Sequence, residues 1–319
     1  MRRLTQFAVL GGTAALSSAV TARFVTTRQA RHHSVRTALG RRSVRPMSPP
    51  APFRLSVVVP AYNEERIGET VRRLRSELST VAEAGGLEIV VVDDGSSDDT
   101  PELAAAAGAD QVIRQPSNKG KGAAVRAGML ASRGSVVAFT DADLAYSPDQ
   151  IVSLLEKVEE GWDVVVGNRD HEETTTVTQA RLVREIGHRV INQFTRTVLV
   201  GEHLDTQCGL KAFRSDVARL IFSRARVNGF AFDIEVLHLV ERYGLSMTEI
   251  PVRVENSGRS TVNVGTDAIR LVRDLSRIRR WALSGAYDAP VDLVASTRAT
   301  DDGVPAVVWP LSSKIDASA

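Results

Sequence analysis

An α/β fold, with a mostly parallel sheet flanked by helices, is predicted by three observations. Segments Leu55–Val59 and Leu87–Val92 contain consecutive β-branched residues, the pattern of strands covered on both faces. Segments with helical character alternate with these and later strand-like runs. Clusters of polar residues fall at the downstream ends of the runs, where ligands bind in sheets of this kind.

Taken in order, Leu55–Val59 is a strand closed by Pro60, and Glu64–Val81 reads as the first helix. Leu87–Val92 is the second strand, ended by Asp93-Asp94-Gly95. The helix Asp99–Ala107 has Ser97 or Asp98 as a cap and Pro101 in its first turn, both favourable helix-start chemistry. Val112-Ile113, Ser135–Thr140 and Asp163–Val166 are shorter strands, separated by helices at Gly122–Ser132 and Pro148–Glu159. Beyond Ala180 the pattern changes: Leu182, Ile186, Val190, Phe194 and Val198 recur four apart, which predicts a long amphipathic helix. A strand at Leu210–Phe213, a helix at Phe232–Arg242 and a strand at Met247–Val254 follow. The last helix, Thr266–Leu283, is amphipathic too: Ala268, Leu271, Leu275, Ile278 and Ala282 share a face, and Arg270, Arg273, Arg277 and Arg280 lie largely off it. The chain divides into a basic leader with a Pro-rich linker (1–54), an α/β domain (55–287) and a pattern-poor tail (288–319).

With 43% hydrophobic and 24% charged residues in 319, the composition excludes collagenous, low-complexity and wholly disordered classes. A single cysteine, Cys208, excludes an internal disulfide framework and a cysteine-rich metal cage, and reads as a small packed residue. The net charge of +2 conceals two populations: residues 1–50 contain nine arginines and no acid, and the remainder has seven more acidic than basic residues. The basic character belongs to the leader, so nucleic acid is not an expected partner.

Within that leader, Leu4 to Ala22 carries no charge, about the ~30 Å needed to cross a bilayer, yet Gly11, Gly12, Thr13, Ser17, Ser18 and Thr21 dilute it. Three readings stand side by side: a membrane anchor, a disordered basic arm, or sequence upstream of a start at Met47. If the segment inserts, the arginines from Arg23 to Arg45 outnumber Arg2 and Arg3 and place the domain on the cytoplasmic side.

Asp141-Ala142-Asp143 follows an apolar run directly. Alternate carboxylates past a strand can hold a divalent ion, which favours oxygen ligands and shares them with phosphate; an acidic pair can equally cap a helix. Pro60-Ala61-Tyr62-Asn63-Glu64-Glu65 and Val92-Asp93-Asp94-Gly95-Ser96-Ser97 end the first two strands, each serving either as turn chemistry or as acceptors for a base and ribose. Asn118-Lys119-Gly120-Lys121-Gly122 brings cations to a helix start, suited to phosphate or to a solvated turn. Its spacing is not that of a Walker loop. His188 and His203 lack a metal-ligand spacing.

Together, PAYNEE, VVDDGSSDDT, NKGKGAAVRAG, DADL, VGNR, DTQCGLKAF and FAFDIEVL resemble family 2 glycosyltransferases of the GT-A (Rossmann-like) fold. Among these they most resemble the dolichyl-phosphate β-glucosyltransferases, with dolichyl-phosphate mannose synthases as cousins. The resemblance spans about Leu55 to Tyr287. It implies donor binding by Pro60, Tyr62, Glu64, Asp93, Asp94, Lys121, Asp141, Ala142, Asp143, Arg169 and Arg259, the last standing where relatives have lysine. It implies Mg²⁺ or Mn²⁺ on Asp141 and Asp143, catalytic roles for Asp143 and Asp205, and an acceptor phosphate on Arg169, Gln207 and Lys211. Ala145 stands where mannose-type relatives often have glutamine.

The implied reaction is inverting transfer of a hexose, glucose from UDP-glucose, to a membrane polyprenyl (dolichyl-type) phosphate. A phosphate acceptor is already anionic near neutral pH, so Asp205 is as readily an orienting residue as a base. GDP-mannose is the alternative donor. A nucleotidyltransferase would want an early glycine-rich loop, which Pro60–Glu65 lacks, and a non-catalytic sugar-nucleotide-binding protein would not be expected to keep Asp141 and Asp143. The expected location is the cytoplasmic face of a membrane, peripheral or N-terminally anchored, with the Ala180–Val200 and Thr266–Leu283 helices at the interface or packed on the sheet.

Overall fold

The computed structural model describes residues 48–169, 175–176, 208–255 and 264–288. The leader, the 180–200 helix and the tail beyond 288 lie outside the described residues.

The first strand, β1 (Phe53–Ala61), alternates sides. Leu55, Val57 and Val59 face one apolar core and Val58 the other, as the two-residue period of a strand requires. β2 (Leu87–Asp93) does the same, with Ile89 and Val91 opposed to Val90 and Val92. Both strands are therefore covered on two faces, which is why their β-branched runs are consecutive.

Between them the expected single helix is two: α1 (Ile67–Glu77) and α2 (Ser79–Glu83). Leu78 breaks the helix at φ −103°, ψ 19°. At the other end Glu64 stays in the loop, because its N–H is bonded to Thr100 Oγ1 at 2.9 Å. Then come α3 (Thr100–Ala106), β3 (Gln111–Arg114), α4 (Lys121–Ala131), β4 (Gly134–Phe139), α5 (Asp149–Glu159) and β5 (Val164–Asn168). Beyond the short β6 (Thr175–Thr176) lie β7 (Lys211–Arg214), α6 (Ser215–Phe222) and α7 (Phe232–Tyr243). The last elements are β8 (Met247–Pro251), β9 (Arg253–Val254) and α8 (Val264–Leu283). Helix α6 has no counterpart among the sequence expectations. The strand expected at 247–254 divides, with Val252 between β8 and β9 and β9 pairing β6 in a separate two-stranded sheet.

The main sheet has the order β3-β2-β1-β4-β7-β5-β8. All its neighbours pair in parallel except β7, which runs antiparallel to both β4 and β5. The chain winds from β1 outward through β2 to β3, then returns to place β4 on the other side of β1. The strand order thus reverses between β1 and β4, and a crevice opens at their carboxyl ends, where such sheets bind ligands.

One face carries α1, α3 and α5 through Val71, Leu74, Ala104, Ile151 and Leu154. The other carries α4, α6, α7 and α8 through Met129, Leu220, Val236, Leu275 and Ile278. Full burial of each aliphatic side chain contributes about 1.5–3 kcal/mol. Helix α4 comes closest to the sheet at Gly128, where an added Cβ would overlap Val58 Cγ1 and lie 2.9 Å from Val92 Cγ2. Gly128→Ala is therefore expected to lower stability by about 1–3 kcal/mol through overpacking, read as a Tm lower by roughly 2–4 °C for each kcal/mol. An unchanged Tm would show that helix and sheet can separate without cost.

Candidate active site

Four loops meet at the carboxyl ends of β1, β2, β3 and β4, held mainly by backbone N–H groups bonded to side-chain oxygens. After β1, Tyr62 stands half exposed and Asn63 takes a left-handed φ of +47°, a conformation asparagine tolerates better than most residues. Asn63 donates its N–H to Ser96 Oγ (2.8 Å) and accepts the Ser97 N–H on Oδ1 (2.9 Å). Asp94 N–H donates to Ala61 O at 2.9 Å. The PAYNEE and DDGSS segments are thereby laced into one surface.

The two aspartates after β2 have different surroundings. Asp94 accepts the Lys119 and Gly120 N–H groups at 2.9 and 2.7 Å, so its carboxylate shapes the NKGKG loop. Gly95 sits at φ +77° with a Cβ position 2.5 Å from Ser117 C, which leaves no room for any other residue. Asp93 accepts the Ser96 N–H on Oδ1 at 3.0 Å. Its buried Oδ2 has no hydrogen-bond partner, with Arg114 Nε 3.4 Å away. A buried acceptor left open in this way is a point where a ligand N–H can bind.

Lys121 opens α4 and places its Nζ 2.5 Å from Asp141 Oδ1. Burial alone would pull the Lys121 ammonium down, but the charges of Asp141, Asp233 and Asp143 outweigh it and raise its pKa. Its helix start is fixed by Ala123 N–H donating to Asn228 O at 3.2 Å, and by Gly120 at φ +103° packed against that carbonyl.

Asp141, Ala142 and Asp143 follow β4 after Thr140. The Ala142 carbonyl accepts Thr70 Oγ1 at 2.6 Å, and Asp143 Oδ1 accepts the Ala145 N–H at 3.1 Å. Burial and the neighbouring Asp141 charge push the Asp143 carboxyl up, with Glu64 adding to the effect. Two carboxylates held this close in a partly buried crevice favour a cation between them and the ligand. A hard divalent ion with oxygen ligands fits that donor set, the remaining positions going to water or phosphate oxygen. Among the described residues no third His, Cys, Asp or Glu joins them as a protein ligand.

Arg169 follows the carboxyl end of β5 on the same edge of the sheet, half-buried. Lys211 requires a correction. Expected on an acceptor phosphate, it is fully buried, donating to Cys208 O and Asp233 Oδ1, both at 2.6 Å. Its position in β7, between β4 and β5, turns the side chain into the core, and its charge is matched inside the protein. Asp205, Gln207 and Arg259 lie outside the described residues. Cys208 is buried in the core, as expected.

Two residues went unassigned in the sequence. Asp233, at the start of α7, acts electrostatically on both Lys121 and Asp141; inside FAFDIEVL it reads as an ordinary first-turn acid. Gly209 lies against Asp141, so that an added Cβ would overlap the carboxylate. The DTQCG glycine signals that approach, but its partner is 68 residues away in sequence.

An antiparallel strand set into a parallel sheet, with an acidic pair and a lysine where the strand order reverses, is the arrangement of a GT-A glycosyltransferase. Residues 56–222 match the family model described as glycosyl transferase family 2. The chain is 31% identical over 253 residues to a dolichyl-phosphate beta-glucosyltransferase of Dictyostelium discoideum, covering 73% of this chain and 76% of that one. It is 32% identical over 255 residues to the Homo sapiens protein of the same name, covering 73% and 77%. Among solved structures, glucosyl-3-phosphoglycerate synthase from Mycobacterium tuberculosis, in complex with phosphoglyceric acid, superposes with a TM-score of 0.55 at 26% identity, over 71% of this chain and 80% of that one. The same mycobacterial enzyme crystallised with Mn²⁺, UDP and phosphoglyceric acid superposes at 0.52 with 22% identity, over 75% and 80%. The chain belongs to glycosyl transferase family 2.

The contact at Gly209 yields a direct test. Gly209→Ala is expected to shift Asp141 and lower transferase kcat/KM by about 100-fold, the scale of a ~1 Å misplacement in an active site. Activity within twofold of the parent would show that Asp141 does not need that approach.

Proposed function

We propose that the protein transfers glucose from UDP-glucose to a membrane polyprenyl phosphate of the dolichyl type, with inversion, giving polyprenyl-phosphate β-glucose. The observation that carries the reading is the Asp141–Asp143 pair with Lys121 at the β1/β4 crevice, in a chain whose relatives at 31–34% identity are named dolichyl-phosphate beta-glucosyltransferases.

In this mechanism a phosphate oxygen of the acceptor attacks the anomeric carbon as its bond to the diphosphate breaks, and the diphosphate leaves as UDP. The acceptor oxygen is already ionised, so the site must mainly bind, orient and neutralise charge. Asp93 Oδ2, buried and open, takes an N–H of the base. Tyr62, at the mouth, and Glu64, Pro60 and Asp94, in and beneath the laced loops, hold the nucleoside. Asp141 and Asp143 hold Mg²⁺ or Mn²⁺, which when bound supplies positive charge to the diphosphate. Lys121 adds a second cation beside Asp141, and Arg169 a third at the β5 end. Asp205 and Gln207, just upstream of the Cys208–Gly209 turn, orient the acceptor, and Arg259 contacts phosphate.

The acceptor resides in a bilayer. Among the described residues no helix is long and apolar enough to cross one. Helix α8 turns Leu275 and Ile278 into the core and leaves Arg270, Arg273, Arg277, Arg279 and Arg280 exposed. Such a surface gains about 1 kcal/mol per cation near anionic lipid. It supports a domain resting on the cytoplasmic face of the membrane.

Protein incubated with polyprenyl phosphate, Mn²⁺ and labelled UDP-glucose, GDP-mannose or UDP-galactose in parallel is expected to label lipid from UDP-glucose. Label from GDP-mannose alone would overturn the donor assignment. EDTA is expected to abolish transfer and added Mn²⁺ or Mg²⁺ to restore it, while Asp143→Ala lowers kcat by at least about 100-fold, the scale for losing a principal charge-stabilising group. Full turnover in that variant would remove the metal reading.

A further inference from the structure

We propose that Lys211 and Asp233 form a positioning pair that holds Asp141 in its working place, an assignment that rests on the donor reading above. Burying an ammonium group is costly unless it is paired and hydrogen-bonded, and Lys211 is 0% exposed. Its Nζ is matched by the Cys208 carbonyl and Asp233 Oδ1, each at 2.6 Å, and by the Phe139 ring, whose centroid lies 5.4 Å away.

Each of these partners leads to Asp141. Phe139 ends β4, two residues before it. The Cys208 carbonyl begins the peptide unit of Gly209, the residue packed against the Asp141 carboxylate. Asp233 acts electrostatically on Lys121, whose ammonium touches Asp141. The charges therefore alternate through the floor of the crevice: Asp141, Lys121, Asp233, Lys211. The pair joins three segments far apart in sequence, namely the end of β4, the turn before β7 and the start of α7. A buried pair kept only for stability can be replaced by apolar residues of similar volume at little or no cost. A pair that sets the place and charge of Asp141 cannot.

The test uses the full chain as wild type, Asp233→Asn, Lys211→Met and the double Lys211→Met/Asp233→Leu. Four quantities are measured: Mn²⁺ affinity by electron paramagnetic resonance, UDP affinity by calorimetry, Tm, and KM with kcat for UDP-glucose. The single variants are expected to lose about 10- to 100-fold in Mn²⁺ affinity, as removal of groups that orient metal ligands does, with KM for the donor rising. The double variant leaves no unpaired buried charge, so it is expected to recover the wild-type Tm without recovering Mn²⁺ or UDP affinity. If it regains stability and affinity together, the pair is structural and the proposal is overturned. Wild-type affinity in Asp233→Asn would overturn it as well. A wild type that binds neither Mn²⁺ nor UDP would overturn the donor reading and this assignment with it, whereas variants equal to a binding wild type would remove this assignment alone.

Discussion

Charge compensation in a partly buried crevice is the constraint on which the rest of this structure depends. Asp141, Asp143 and Asp233 gather near the carboxyl end of β4, and Asp141 acts electrostatically on each of the other two. Burial raises the Asp143 and Asp233 carboxyls, a direct sign that their charged forms are costly there. The protein offsets that cost with Lys121 at the start of one helix and Lys211 inside the sheet. What remains uncompensated faces the crevice, which is the condition for holding a divalent ion and a diphosphate.

The loops around the crevice show the same economy with neutral donors. Asp94 is satisfied by two backbone N–H groups of the NKGKG loop, and Asn63 by the DDGSS turn. These bonds give irregular segments a defined shape at the ends of rigid strands, where preorganisation matters most. Two adjacent aspartates with one sequence signature thus differ in their surroundings: Asp94 shapes a loop, and Asp93 keeps a buried oxygen without a hydrogen bond, 3.4 Å from Arg114 Nε. The same division separates Lys121, partly buried beside Asp141, from Lys211, fully enclosed beside Asp233.

Much of the fold was legible because it rests on local pattern. Consecutive β-branched residues at 57–59 and 89–92 marked strands covered on both faces, and Pro101 marked the first turn of α3. The cap expected from Ser97 or Asp98 falls instead at Asp99, which makes no side-chain cap bond, while Asp98 Oδ1 accepts the Thr100 N–H at 3.1 Å. The end of α1 was not legible, since Leu78 is an apolar residue in register with the helix. Neither was α6, whose short Ser215–Phe222 segment follows β7 without a loop. The acidic pair and the lysine of the site stood out as motifs, but their meeting did not: Lys121 and Asp141 belong to different strand–helix units.

By itself, the sequence determined the strand–helix alternation, the polar clusters at strand ends and the family, because these depend on period, composition and short motifs. Only the tertiary structure decided which charges are exposed. Lys211 has the same chemistry as Lys121 and sits in an equally suggestive motif, yet β7 runs antiparallel between β4 and β5 and turns it into the core. Side-chain direction in a sheet follows from register with neighbouring strands, and the neighbours of β7 lie tens of residues away. Whether a cation meets a ligand or a buried aspartate is therefore a property of the pairing and not of the residue.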